Sequence, residues 1–265
     1  MNDFLIGGFS AIVARTATAP LELTKLQMQN NYLNNSVFNV IRNEGVRHLW
    51  KGNFTNCIRT FPQYAINFAV YEKAKNVYKH VVFNNSSLHL LSGLTSGAIS
   101  MVAIYPLETA RTHLGLQTNN SNYNGLLDVF KKLSMRELYA GLRMSIFGFA
   151  PWNAINFASY NFYKETFIEY KENKNVYKLL CGGFAGITAI SVTYPTDLIR
   201  KRLQMQSFSL DVPRYSGIFD CVEKIVKQEG IIGLYRGLSI SYVKSFPTLA
   251  IQFWAYDTLK ELVEK

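Results

Sequence analysis

The chain has 265 residues, 48% of them apolar and 14% aromatic, and its 28 basic against 18 acidic side chains give a net charge of +10. Cys57, Cys181 and Cys221 are an odd number without paired spacing, so no disulfide framework or zinc motif is suggested. A mean hydropathy of +0.01 would suit a soluble protein, so a membrane location must be read from where the charges fall.

The first apolar stretch, Phe4 to Leu21, carries one charge, Arg15, and starts too early for a cleavable signal, so any targeting information is expected to be internal. It runs into Pro20-Leu21-Glu22-Leu23-Thr24-Lys25, a proline followed by an acid two residues on and a base three further, with Gln29 beyond. The second stretch, Phe54 to Tyr71, holds Arg59 and Pro62. The third, Leu88 to Leu107, is uncharged and runs into Pro106-Leu107-Glu108-Thr109-Ala110-Arg111, with Gly115 where the first repeat has Gln29. The fourth, Met144 to Tyr163, contains Pro151. The fifth, Leu179 to Thr196, is uncharged and leads to Pro195-Thr196-Asp197-Leu198-Ile199-Arg200, with Gln204 beyond. The sixth, Leu238 to Tyr256, holds Lys244 and Pro247. Each is long enough to cross a ~30 Å hydrocarbon core.

Pro20, Pro106 and Pro195 are separated by 86 and 89 residues, and Pro62, Pro151 and Pro247 by 89 and 96. Such self-similarity divides the chain into three units, 1–85, 86–175 and 176–265, each a pair of long helices with a shorter element between. Gly7 and Ala11, Gly93 and Gly97, and Gly182 and Gly186 stand at one repeat position, a small-xxx-small spacing that lets helices approach closely in lipid. The fold class is therefore all-α membrane protein: six tilted transmembrane helices in three pseudo-threefold repeats. Basic residues are spread through loops and helix ends, so nucleic acid is not an expected partner. His48, His80, His89 and His113 share no repeat position, and no nucleophile–base pair or metal-ligand cluster appears, which argues against an enzyme.

These motifs resemble the mitochondrial carrier family along essentially the whole chain. The resemblance implies a six-helix barrel with short matrix helices and two gates that expose a central site alternately to each side. It also implies a multi-pass location in the mitochondrial inner membrane and operation as a monomer, with no cofactor. Proline breaks helical hydrogen bonding, so Pro20, Pro106 and Pro195 are expected to kink the odd helices until their ends converge. Glu22, Glu108 and Asp197 would then meet Lys25, Arg111 and Arg200 of neighbouring repeats in a matrix gate, braced by Gln29 and Gln204. The opposite, cytoplasmic gate resembles Tyr-acid-x-x-base: Glu72 with Lys75 and Asp257 with Lys260 fit, whereas Asn161 with Lys164 has an amide for the acid. Glu44-Gly45 and Glu229-Gly230 resemble the matrix-helix motif, which the second repeat lacks. Gly125 and Gly217 precede such helices and Gly52, Gly141 and Gly237 follow them; the resemblance implies that these glycine-rich ends hold cardiolipin.

Repeat symmetry locates the solute site independently. A gate made by all three repeats wants like residues at equivalent positions, and an asymmetric solute wants unlike ones. Phe68, Phe157 and Phe253 are alike and are expected to pack. Arg59, Gly148 and Lys244 are unlike, as are Arg15, Met101 and Ile190. Arg15, Arg59 and Lys244 are thus three mid-membrane positive charges unpaired by sequence, which suits a polyanion. Gly148 would leave room for a flat group beside Phe149 and Trp152, with Asn153 and Asn156 to read its edge. Phosphates on one side and a planar heterocycle on the other describe a nucleotide. The family's contact points fall on the same places, and the motifs look most like adenine nucleotide and coenzyme A carriers; the Arg200-Lys201-Arg202-Leu203-Gln204-Met205 run departs from that of the principal ADP/ATP exchangers. The expected substrate is a phosphorylated nucleotide-type anion. A thiamine pyrophosphate carrier, or an anion or proton uniporter of the same fold, is the alternative.

Overall fold

The computed structural model describes residues 2–30, 41–42, 45–81, 84–117, 123–166, 174–208 and 213–264. Glu44 lies outside the described residues. The first repeat begins with α1 (Asn2–Ala17) and α2 (Ala19–Gln29), followed later by α3 (Asn53–Tyr78). The second contains α4 (Asn85–Leu116), two short helices α5 (Leu126–Lys132) and α6 (Met135–Leu138), and α7 (Leu142–Thr166). The third contains α8 (Lys174–Met205), α9 (Ile218–Glu229) and α10 (Leu238–Glu264). Short 3₁₀ turns at Val46–Trp50 and Ile231–Tyr235 lead into α3 and α10.

The six long segments form a closed ring: α3 packs on α4, α7 on α8, and α10 returns to α1. The three odd-helix prolines act differently. The first helix is interrupted at Thr18, so that Pro20 opens a new helix, whereas Pro106 and Pro195 lie within α4 and α8. One helix among the described residues, Ser87–Leu116, is long and apolar enough to cross a membrane by hydropathy alone. Arg15 on α1, Arg59 on α3 and Lys244 on α10 lower the averages of their spans, and all three line the bundle's cavity. Phe9, Phe54, Ile99, Phe147 and Val192, which a soluble protein would bury, are exposed.

The buried core gathers at one end, where the odd helices meet the short ones. Leu26, Leu114, Val129, Leu138 and Met205 form one cluster, and Tyr194, Leu198, Leu203, Cys221 and Ile225 another. Burial pushes the Cys221 thiol up to about 12, so it behaves as a core group. Glu229 ties α9 to α8 through Arg202, 2.7 Å away and fully buried. In the second repeat a Ser134–Glu137 capping box begins α6, and α5 has only 7 residues against 12 in α9.

Two packing expectations are not met in this conformation. A Cβ added at Gly7, Gly93, Gly182 or Gly186 would meet nothing within 4 Å, so these glycines face open space. Gly97 does permit a close approach, with the Phe149 ring 2.3 Å from where its Cβ would stand. Phe68, Phe157 and Phe253 are exposed rather than packed.

Candidate solute site and ion-pair ring

The acid and base that follow each odd-helix proline are carried to the same level by α2, α4 and α8. There they pair in a cycle. Lys25 meets Asp197 at 2.8 Å, Arg111 meets Glu22 at 3.1 Å, and Arg200 meets Glu108 at 3.3 Å. Every repeat gives its base to the acid of another repeat, so the three pairs lace the bundle shut at this end. Gln29 donates from Nε2 to Asp197 at 3.3 Å and to the Tyr194 hydroxyl at 3.1 Å. Gln204 reaches its pair indirectly: its Oε1 accepts from Lys201, whose Nζ is 2.8 Å from Glu108. Lys25 also lies over the Tyr194 ring and Arg200 over the Tyr105 ring, at 5.5 and 5.6 Å from their centroids.

Arg15, Arg59 and Lys244 line one cavity of about 430 Å³ directly beside this ring. They are not unpaired. Arg59 pairs with Glu108 and Lys244 with Glu22, while Arg15 donates to the Asn56 amide oxygen at 3.1 Å. These acids come from other repeats, 49 and 222 residues away, which local spacing could not reveal. Asn56 Oδ1 also accepts from Arg59 at 3.3 Å, so one amide oxygen holds two guanidinium groups side by side.

A second lobe of about 250 Å³ adjoins the first through Lys25, Met101, Phe149, Asp197, Arg200 and Lys244. Trp152, Met144, Ile190 and Tyr194 give it an apolar, aromatic wall. Gly148 lines this lobe but does not leave room for a flat group. The space of its missing side chain is taken by Thr196, whose Oγ1 would be 2.6 Å from an added Cβ. Asn153 turns back on its own helix, donating to the Phe149 carbonyl at 2.8 Å. Neither Asn153 nor Asn156 is among the residues lining the two lobes.

Gly52, Gly141 and Gly237 hold positive φ angles of 80, 81 and 87° at the start of α3, α7 and α10. Each is pressed against the helix that carries the next base of the ring. A Cβ at Gly52 would stand 3.1 Å from the Arg111 carbonyl, and one at Gly141 2.8 Å from that of Arg200. At Gly237 it would stand 2.9 Å from the Tyr194 hydroxyl and 3.5 Å from the Lys25 carbonyl. Gly141→Ala should therefore lower the melting temperature by roughly 5 °C, combining left-handed backbone strain with a backbone clash. Gly217→Ala should leave it unchanged, because φ there is 179° and nothing lies within 4 Å. Thermal unfolding in detergent without added cardiolipin compares the two; equal shifts would refute the packing argument.

At the opposite end Glu72, Asn161, Lys164 and Asp257 are exposed, with Lys75 and Lys260 half-buried. The ring is more enclosed: five of its six members are half-buried and Glu108 is buried, at 6% exposed. Sequence reasoning missed Lys201, Asn56, Tyr105 and Tyr194. A signal was there for Lys201: Leu26 and Thr112 hold the equivalent positions, so the site is asymmetric by the same rule that singled out Arg15. The two tyrosines immediately precede Pro106 and Pro195, whereas Ala19 precedes Pro20.

Six helices closed around a charged cavity, laced by ion pairs at one end, define a membrane solute transporter. The family model described as mitochondrial carrier protein matches residues 1–81, 84–171 and 171–265, and the chain belongs to that family. It is therefore a multi-pass transporter of the mitochondrial inner membrane, and not an enzyme. A mitochondrial substrate carrier family protein P of Dictyostelium discoideum is 35% identical over 99% of this chain and 94% of its own length. A mitochondrial adenine nucleotide transporter of Arabidopsis thaliana is 33% identical over 99% and 87%. A mitochondrial coenzyme A transporter of Xenopus tropicalis is 31% identical over 100% and 86%.

Proposed function

We propose that the chain exchanges a phosphorylated nucleotide-type anion, an adenine nucleotide or a coenzyme A-like molecule, by alternating access. One observation carries the reading: seven basic side chains and three acidic ones line the main cavity. Lys25, Arg111 and Arg200 balance the three ring acids, so Arg15, Arg59, Lys201 and Lys244 are in excess. Four surplus cations in a low-dielectric span need an anion of several charges. Arginine favours phosphate because its planar fork makes paired hydrogen bonds. The adjoining lobe, with Trp152, Phe149 and Met144, suits the apolar part of such a solute. The names of the plant and frog relatives support the same class.

In this proposal the Glu22/Lys25, Glu108/Arg111 and Asp197/Arg200 ring is the matrix gate, and Gln29 and Gln204 brace it. Glu72, Lys75, Asn161, Lys164, Asp257 and Lys260 form the cytoplasmic gate when the bundle closes there. Asn161 leaves that gate one ion pair short. Asn161→Asp should accordingly favour its closed form and slow exchange several-fold, read as the initial rate of uptake into vesicles; an unchanged rate would remove the idea. Gly52, Gly125, Gly141, Gly217 and Gly237 offer backbone N–H groups to cardiolipin phosphates, and the carrier operates as a monomer.

Ligand-dependent thermal shift tests the substrate class. Adenine nucleotides or coenzyme A should raise the melting temperature in a concentration-dependent way, while carboxylates should not. A shift from thiamine pyrophosphate alone would move the reading to that solute. A shift from carboxylates alone would refute it.

A further inference from the structure

We infer that Thr16 is a positioning residue of the solute site: a grip on it from the start of α3 keeps Arg15 aimed into the cavity. Pro20 has no N–H to give, so the carbonyl four residues before it, that of Thr16, loses its donor within the helix. The Trp50 indole supplies one from the turn that leads into α3, with Nε1 2.8 Å from the Thr16 oxygen. Beyond it, Asn53 donates from Nδ2 to the Thr16 hydroxyl at 3.1 Å, and Asn56 accepts from Arg15 at 3.1 Å. Trp50, Asn53 and Asn56 stand three residues apart, the spacing that brings side chains to one side of a helix.

The grip matters because α1 ends here. Thr18, with φ −96° and ψ 5°, interrupts the helix three residues after Arg15, and α2 then carries Glu22 and Lys25 to the ring. Continuity with α2 is thus broken where Arg15 has to be aimed, and the bonds from α3 take its place.

The other two repeats are built differently at this level. Val102 and Ser191 hold the place of Thr16, and Leu142 and Leu238 that of Asn53. Tyr139 and Tyr235, in the place of Trp50, stack on Tyr105 and Tyr194 with ring centroids 6.2 and 6.4 Å apart. Tyr105 and Tyr194 in turn donate to the Ala140 and Arg236 carbonyls at 3.0 and 2.9 Å, where the first repeat has Ala19. A purely structural joint could be alike in all three repeats, as the tyrosine joints are alike in two. The polar grip instead belongs to the repeat whose odd helix carries a solute-site cation, Met101 and Ile190 holding the place of Arg15. The inference rests on the reading of Arg15 as a solute contact and adds what holds it there.

The test uses the full chain in detergent. Thr16→Val removes the hydroxyl and keeps the shape, Thr16→Ser keeps the hydroxyl, and Trp50→Phe removes the indole donor. Isothermal titration with adenosine diphosphate and with coenzyme A should show binding about 3- to 10-fold weaker in Thr16→Val and in Trp50→Phe, and within about twofold of the parent in Thr16→Ser. In an Arg15→Ala background the same substitutions should change affinity by less than about twofold, because they act through the missing guanidinium. Additive losses in that background would overturn the inference, since a merely structural role does not depend on Arg15. Unchanged affinity in Thr16→Val and Trp50→Phe beside a loss in Arg15→Ala would refute the positioning role and leave the solute site standing. Parent-like binding in Arg15→Ala, or no binding of either compound to the parent, would remove the solute reading and the inference together. Cys57, whose Sγ lies 3.8 Å from the Thr16 hydroxyl, reports on the grip without any solute. Maleimide labelling at Cys57, read by peptide mass, should quicken several-fold in Asn53→Leu and Trp50→Phe. An unchanged rate in both would show that α1 and α3 stay joined without these bonds, and would overturn the inference.

Discussion

Glu108→Gln should destabilise this conformation by about 3–5 kcal/mol, the usual cost of leaving buried charge without its partner. For a chain of this size that corresponds to a fall of roughly 10 °C in melting temperature. The substitution keeps the shape of the side chain while removing its charge and turning one accepting oxygen into a donor. Three cations depend on that carboxylate: Arg59, Arg200 and Lys201. Asp197→Asn should cost less, because Asp197 meets Lys25 and Gln29 and its side chain is more exposed. Exchange should be lost in the first variant and reduced in the second. Equal melting shifts in the two would show that the three seams of the ring are equivalent, contrary to the structure.

Arg15→Ala should weaken binding of a polyanionic nucleotide about 10- to 100-fold, the loss of one charge-assisted contact of about 1.5–3 kcal/mol. Its value lies in what it leaves alone. Arg15 meets the amide of Asn56, whereas Arg59 and Lys244 are tied to Glu108 and Glu22. Removing Arg15 should therefore keep the ligand-free melting temperature within about 2 °C of the parent while abolishing uptake and much of the ligand-induced shift. Arg59→Ala and Lys244→Ala should abolish uptake too, but each also strips a partner from a ring acid and should lower ligand-free stability. Isothermal titration and thermal unfolding on the same preparations separate the two effects. Unaltered ligand affinity in Arg15→Ala would take that residue out of the solute site.

Threefold motifs made the ring legible, because the acid and base after Pro20, Pro106 and Pro195 had to be used alike. Breaking of that symmetry made the cavity legible, since Arg15, Arg59 and Lys244 all line it. What stayed hidden depends on the register between helices far apart in the chain. The Arg59–Glu108 and Lys244–Glu22 pairs, and the seating of Thr196 over Gly148, arise only when three repeats close on one another. Asn153 departs from the expected role for a local reason: an amide can satisfy itself on the carbonyl one turn back. The glycines of the small-xxx-small positions mostly face open space in this conformation, so spacing alone did not say where close packing occurs.

Counter-exchange in reconstituted vesicles addresses the central proposal most directly. Labelled adenine nucleotide or coenzyme A would be presented outside vesicles that are either empty or preloaded with the same compounds. Rapid uptake that requires internal nucleotide, and disappears in Arg15→Ala, is the predicted result. Proton conductance without solute exchange, or uptake confined to anions lacking phosphate, would contradict it.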